Sequence, residues 1–543
     1  MTDSRASKYQ RTKAAVRFSC LAAAAIIASL FSPAPQALAE SLDEALASAY
    51  RYNPRLDAER ARLRATDESV PQARSGYLPR VDGGANVGIS DIRDRLRDEA
   101  GTRGAAFDPN TGRLTTSLRT GDTLYPRDYS IGVQQNLFDG FRTSNSVAEA
   151  EANVRAGRET LREVERQVLL EAATAYMDVI RDRAIVRLQD NNVKVLTREL
   201  TATTDRFEVG EVTRTDVSQA KARRARSVSD LDLARGNLKS ARARYERVVG
   251  NPPRGLIEPG LPWSLLPKSL DEALSIGENE NQLVIQALYL EQAARHIVDV
   301  IRGELLPSLT LDASYRNGFS ESSNLAESER TELTGRLNVP IYQGGEVSAR
   351  VRASKHTHVS RLQEVEDART EVREEIITAW AAFQTTQAQL VSDRTQVEAN
   401  QTALTGVREE EKVGQRTLLD VLNAEQELLD AQVSLAETRR NNIVAAYTLL
   451  SAIGRFTADV IGVTATVYDP EMHYAEVRRN WWGISITHRD GRRESLDLWE
   501  SHGRRHSMTY CLSRPSPFDP KTTIGALPSA ALALFAPGGL WAG

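Results

Sequence analysis

Two stretches of the chain carry the same set of groups at the same spacing. Val209-Gly210-Glu211-Val212-Thr213-Arg214-Thr215-Asp216-Val217 is matched 204 residues later by Val413-Gly414-Gln415-Arg416-Thr417-Leu418-Leu419-Asp420-Val421, which continues into Leu422-Asn423-Ala424. Each stretch places a carboxylate, Asp216 or Asp420, one residue before a heptad position. A carboxylate there can cap the open N–H groups of a helix's first turn or meet the positive end of its dipole. Repeated around an axis, it would also draw cations and repel anions. Covalent chemistry is not offered: the sequence holds no nucleophile elbow, phosphate loop or metal-ligand cluster, so an enzyme is not expected and no cofactor or metal is assigned. His356 and His358 are two apart on a helix and do not share a face, which makes them poor joint ligands. Glu409-Glu410-Glu411-Lys412 reads as a solvated helix face, and Trp380, matching Tyr176, as a packing residue.

The elements that hold these groups come from an internal duplication. Ser41-Leu42-Asp43-Glu44-Ala45-Leu46 recurs as Ser269-Leu270-Asp271-Glu272-Ala273-Leu274, and Leu78-Pro79 recurs as Leu306-Pro307, both at an offset of 228. From Asp139-Gly140, matched by Gln343-Gly344, the offset is 204 and stays so through Gly250 and Gly454. The lost 24 residues fall between Ser90 and Tyr129, where a length change implies a loop. Residues 40–250 and 269–454 are therefore the two copies, joined by a stiff connector at 251–268 that carries Pro252, Pro253, Pro259, Pro262 and Pro267. Residues 455–482 follow as a C-terminal segment.

Within each copy, Val217, Ala220, Arg224, Ser227, Leu231, Ala234, Leu238, Ala241, Tyr245 and Val248 step by threes and fours. Their counterparts run from Val421 to Ala452. A seam of period 3.5 this long predicts coiled-coil packing. The partner segments Thr143–Phe207 and Val347–Glu411 contain no proline, and at ~1.5 Å per residue each predicts a rod on the order of 100 Å. Between leading helices and rods lie four alternating stretches, near 79–90, 129–138, 307–316 and 332–341, which fit barrel strands with one lipid face and one wet face. The segment Asp91–Asp128, with its Asp108-Pro109-Asn110-Thr111-Gly112 turn, and the shorter Asn317–Arg330 are expected as outer loops.

At the start, Arg11, Lys13 and Arg17 precede an apolar run from Phe18 to Phe31 that closes on Ala37-Leu38-Ala39, the order of a secretory signal over residues 1–39. That segment holds five basic residues and one acidic one, so the overall −4 leaves the remainder near −8, and a nucleic-acid partner is not expected. Cys20 lies inside the signal, leaving Cys511 alone and excluding a disulfide framework. Residues 483–543 lose all periodicity and are expected to be a disordered tail.

Four strands cannot close a barrel in a membrane, where a spanning sheet must leave no edge and the smallest barrels need ~8 strands. Strands in a membrane therefore require several copies of the chain. The twice-used Leu-Pro junction, the turns Leu137-Phe138-Asp139-Gly140 and Pro340-Ile341-Tyr342-Gln343-Gly344-Gly345, and the paired Val-Gly stretches resemble the TolC family of outer-membrane efflux proteins over roughly Ser41–Trp482. The resemblance implies a mainly α homotrimer with a membrane β-barrel of 12 strands continued by a 12-helix coiled-coil tunnel across the periplasm of a Gram-negative bacterium. Its junctions would lie at Pro79, Pro307, Gly140 and Gly344. It further implies a passive exit duct for tripartite efflux or type I protein secretion, embedded in outer-membrane lipid. A periplasmic adaptor and an inner-membrane pump would be its partners, with Val209, Gly210, Val413 and Gly414 at the adaptor-contact tips. The implied gate links Arg416 with Thr215 and Asp216, and the implied acidic ring falls at Asp420; Asn423 departs from the family's second acid. The competing reading is a pore-less periplasmic coiled-coil structural or adaptor protein.

Overall fold

In the computed structural model, the proline-free stretches are single helices of 67 residues each, Arg142–Glu208 and Glu346–Lys412. Residues 40–94, 106–108, 113–115, 120–322, 325–463, 466–487 and 493–494 are described. The signal segment, most of the first outer loop, Cys511 and nearly all of the tail lie outside them. Helices α1 (Leu42–Tyr52), α2 (Pro54–Asp67) and α3 (Ser69–Arg74) lead into strand β1 (Arg80–Val87), and β6 (Arg127–Phe138) leads out into α4 (Arg142–Glu208) and α5 (Arg214–Val249). The second copy repeats this with α6 (Leu270–Glu280), α7 (Gln282–Gly303), β7 (Ser308–Ser322), β8 (Leu325–Asn338), α8 (Glu346–Lys412) and α9 (Leu418–Ala452). Short helices α10 (Ala458–Ile461) and α11 (Pro470–Val477) follow. The connector 251–268 contains neither helix nor strand. By its contacts the chain divides into units 1–481 and 482–543. In the second unit the described residues include one short pair, Ile486–Thr487 with Arg493–Glu494, where the sequence reading expects no regular structure.

The seam is buried as its period requires: Ala220, Ser227, Leu231, Ala234, Leu238, Ala241, Tyr245 and Val248 all lie inside, whereas Arg224 is exposed and turns its Nε to Thr197 Oγ1 at 3.2 Å. One hydrophobic core gathers Leu46, Tyr50, Leu56, Leu169 and Tyr176 of the first copy with Ile376, Leu449 and Leu450 of the second, so the copies do not fold as separate domains. An asparagine in each copy ties this core to a rod end. Asn53 caps α2 through Oδ1 and donates Nδ2 to Val248 O at 3.1 Å; Asn281 caps α7 and donates to Ala452 O at 2.8 Å. Both satisfy a carbonyl left over at a helix C-terminus.

The four long strands form one antiparallel sheet in the order β1-β6-β7-β8. Its register puts Val81, Val133, Ala313 and Leu333 in one row across all four strands, so apolar groups share a face. Three expectations are corrected by this sheet. Pairing carries β7 to Ser322 and brings β8 back from Leu325, leaving only 323–324 between them instead of the loop Asn317–Arg330. Polar side chains hid these strand ends, but backbone pairing does not need apolar ones. Likewise Ser90–Asp94 (β2) pairs with Thr120–Leu124 (β5), and Ala106–Asp108 (β3) with Arg113–Thr115 (β4), within the expected first loop. The fourth strand stops at Asn338 and not at 341, because Pro340 has no N–H to give the ladder.

At both sheet-to-rod junctions the backbone turns left-handed twice. Gly140 and Phe141 have φ of 71° and 63°, and Gly344 and Gly345 have 64° and 84°. Gly140 is also close-packed: a Cβ there would sit 2.3 Å from Gly303 O, whereas Gly344 faces open space. Pro79 and Pro307 stand immediately before β1 and β7, where a missing donor costs no ladder bond.

Candidate entrance at the helical hairpin tips

The α4–α5 and α8–α9 hairpins turn at 209–213 and 413–417 with one local design. Gly210 and Gly414 adopt φ of 83° and 76°, the left-handed step that ends a helix. Val209 and Val413 beside them are 72% and 70% exposed, an unusual cost for a valine and one that leaves both tips apolar. The next helix then opens on a capping box. Asp216 Oδ2 accepts from Thr213 N at 2.9 Å and Thr213 Oγ1 at 2.7 Å. Asp420 Oδ2 accepts from Thr417 N and Oγ1 at 3.0 and 2.8 Å. These bonds hold both carboxyls below the usual range, through the Thr213 hydroxyl foremost at Asp216 and the Thr417 backbone N–H foremost at Asp420. Both therefore remain anions at neutral pH.

The expected link from Arg416 to Thr215 and Asp216 is not made within the chain. Arg416 Nε instead donates to Glu410 Oε2 at 2.8 Å, and Asp216 is engaged by Thr213, two residues before Thr215. The reason is proximity: Glu410 lies six residues back across a tight turn, while Asp216 belongs to the other hairpin. The acidic run is likewise more than a solvated face, because Glu411 Oε1 accepts from Arg206 Nη1 at 2.7 Å across the two hairpins.

Further side chains join the helices here that local pattern did not reveal. Arg223 Nη2 on α5 donates to Asn423 Oδ1 on α9 at 2.7 Å. Arg408 on α8 meets the buried Glu425 on α9 at 2.6 Å. Glu199 on α4 has its carboxyl pushed up, chiefly by burial and then by the neighbouring carboxylates of Glu425 and Glu411. The signal that could have found the Arg206–Glu411 pair is an opposite charge close before each turn, Arg206 three residues ahead of Val209 and Glu411 two ahead of Val413. Away from the tip, His358 Nε2 lies 2.5 Å from Glu291 Oε1 and Trp380 packs against the core. Among the described residues no group of histidine, cysteine or acidic side chains could hold a metal ion, and no helix is long and apolar enough to cross a membrane.

Residues 45–251 and 275–455 match the family model described as outer membrane efflux protein. The outer membrane efflux protein BepC of Brucella suis is 36% identical over 87% of this chain and 97% of its own. The outer membrane protein TolC of Salmonella enteritidis is 25% identical over 80% and 86%. Among solved structures, the outer membrane channel CmeC of Campylobacter jejuni superposes with a TM-score of 0.64 at 15% identity, covering 81% of this chain and 89% of that one, a likeness of fold. With both copies of the repeat matched and BepC aligned along nearly its full length, the chain belongs to the outer membrane efflux protein family, and its place is the outer membrane.

Proposed function

We propose that three copies of this chain form a passive exit duct: twelve strands closing a barrel in the outer-membrane lipid, and twelve helices continuing it through the periplasm. The observation that carries this reading is the open sheet β1-β6-β7-β8, whose two edge strands have no second partner among the described residues, while its ends run directly into the helical rods. A sheet with free edges is not tolerated in hydrocarbon, and further copies supply the missing neighbours. Energy and cargo selection fall to an inner-membrane pump and a periplasmic adaptor, which engage the tips at Val209, Gly210, Val413 and Gly414, for tripartite efflux or type I secretion.

In this reading the tips form the closed entrance. Asp420, anionic and repeated three times, favours cations there. Arg416, Thr215 and Asp216 are assigned to contacts between copies, since within one chain Arg416 rests on Glu410 and Asp216 on Thr213. Asn423 supplies no second acid, so block by multivalent cations is weaker than two rings would give. The test is particle mass in detergent together with single-channel conductance in planar bilayers. A trimer well over ~100 Å long that conducts, and whose cation preference falls in Asp420→Ala, is expected. A monomer without conductance refutes the duct, and an Asp420→Ala channel with unchanged selectivity refutes the ring.

A further inference from the structure

Glu40 stands just before the Ser41 cap of α1, and each of its polar groups is engaged. Its N–H donates to Arg254 O at 3.1 Å, and its carbonyl accepts from Tyr176 OH at 2.9 Å and from Ile257 N at 3.4 Å. Its carboxylate accepts from Tyr245 OH through Oε1 at 2.8 Å and from Arg254 N through Oε2 at 3.2 Å. Tyr176 OH also reaches the connector, 2.6 Å from Ile257 O. Residue 40 thus ties the connector to α4 and α5. Tyr176 and Tyr245 are fully buried, so their hydroxyls need partners on the spot.

The second copy is built without this clasp. At the offsets of the duplication Glu40 corresponds to Lys268, Tyr176 to Trp380 and Tyr245 to Leu449. Neither Trp380 nor Leu449 has a hydroxyl, and Lys268 N donates to its own helix, to Glu272 Oε2 at 2.7 Å. Packing of the repeated unit therefore does not require the two tyrosines or the acid. What distinguishes position 40 is its covalent setting. Lys268 is continuous with Pro267 and the connector, whereas Glu40 directly follows Ala37-Leu38-Ala39, the small-residue end of the expected signal.

We propose that the cradle of Arg254, Ile257, Tyr176 and Tyr245 is a capture site for the free amino terminus that processing creates at Glu40. The inference rests on the signal reading of residues 1–39 and is independent of the duct. Hydrolysis of the Ala39–Glu40 bond by a signal peptidase adds one water, leaving a carboxylate on Ala39 and an ammonium on Glu40. The nitrogen that donates to Arg254 O then carries positive charge, which strengthens that bond and sets a cation beside the residue's own carboxylate. The uncut chain offers only a neutral amide there, so release from the signal and fastening of the connector become one event. Around the cradle stand Glu44 on α1, Tyr176 and Arg183 on α4, Tyr245 on α5, Tyr447 on α9 and Arg254 in the connector. Burial pushes all three tyrosine hydroxyls up, Tyr176 and Tyr447 to about 12. The α-ammonium, which titrates near pH ~8 in a free chain, is therefore the first of the cradle's groups to lose a proton in alkaline solution.

The test uses the full-length protein with its own signal, purified in detergent. Mass spectrometry reads the mature amino terminus. Brief trypsin treatment reads the clasp through a cut after the exposed Arg254, whose N–H and C=O both rest on Glu40. Rates are divided by those for a free peptide spanning Arg254. The mature chain should begin at Glu40 and resist cutting there. Glu40→Ala should be cut at least about tenfold faster, and Tyr245→Phe to a lesser extent, since bonds to a charged carboxylate are lost. Cutting of the unaltered protein should rise at least about threefold from pH ~7 to pH ~9.5, because a partnered ammonium stabilises fully below ~8 and its contribution is lost as pH climbs through its raised value. A protein with one alanine inserted between Ala39 and Glu40, shown by mass to be one residue longer, should be cut faster at neutral pH and lack that pH response. The same pH response in the longer protein overturns the capture site, as does a mature terminus other than Glu40 or an unchanged rate in Glu40→Ala. If Glu40→Ala is instead digested at every basic residue, Tyr245→Phe decides: faster cutting after Arg254 supports the clasp, and an unchanged rate overturns it.

Discussion

Removing Arg206 should loosen the entrance by an amount set by its surroundings. Its guanidinium lies 2.7 Å from Glu411, and the two side chains are 43% and 19% exposed, so solvent screens the pair and the link is worth on the order of 1 kcal/mol, the top of the range for exposed pairs. The neighbourhood raises the stake. Glu411 and Glu425 both press on Glu199, and without Arg206 these three carboxyl groups keep Arg408 as a neighbouring cation. If three symmetry-related links must break together, their sum of about 3 kcal/mol corresponds to a closed-to-open ratio changed by about 10². The assay is single-channel open probability for Arg206→Ala, Glu411→Ala and the double variant, analysed as a cycle. Arg206→Ala is expected to be the more open single variant, since it leaves the acids unpaired, while the double variant should fall between it and the unaltered channel. Additive effects, or open probability unchanged in Arg206→Ala, would refute the view that this pair holds the hairpins together.

Glu199 sets a pH dependence. Its folded-state pKa is raised above the usual 4.5, so the folded tip binds this proton more tightly than the unfolded chain. Its contribution therefore improves as pH falls through the raised value towards 4.5 and is lost as pH rises again; Glu199→Gln should close the channel more firmly at neutral pH and flatten its response across that window, and an unchanged pH profile would disprove the assignment. For Asn281, replacement by Ala removes a cap worth ~1 kcal/mol and strands the Ala452 carbonyl at a further ~1–3 kcal/mol. Asn281→Ser keeps a capping oxygen but is too short to reach the Ala452 carbonyl, so denaturation should rank it between the two, and equal loss in both variants would contradict the double role. At the junctions, Gly344→Ala should cost only the ~1–2 kcal/mol of a left-handed alanine, whereas Gly140→Ala also drives a Cβ to 2.3 Å from Gly303 O. Assembly yield should drop far more for Gly140→Ala, and equal yields would show that the close packing there is not required.

The linear order of residues determined the duplicated layout, because helix and strand periods, missing prolines and turn glycines act locally. The rods, the sheet strands, the turns at Gly140 and Gly344 and the aspartates of both capping boxes could all be read that way. So could the family, since its marks are short and repeated. Strand ends at Ser322 and Leu325 could not, because pairing continued past the apolar alternation used to find them. Charge partners were the least legible. Arg206 chose Glu411 and Arg223 chose Asn423, contacts that depend on which helix faces are brought together across 205 and 200 residues, and Arg416 turned back across its own tight turn to Glu410, six residues away. The single core shared by both copies was hidden for the same reason: a buried face is visible in sequence, but what covers it is decided only when the chain packs.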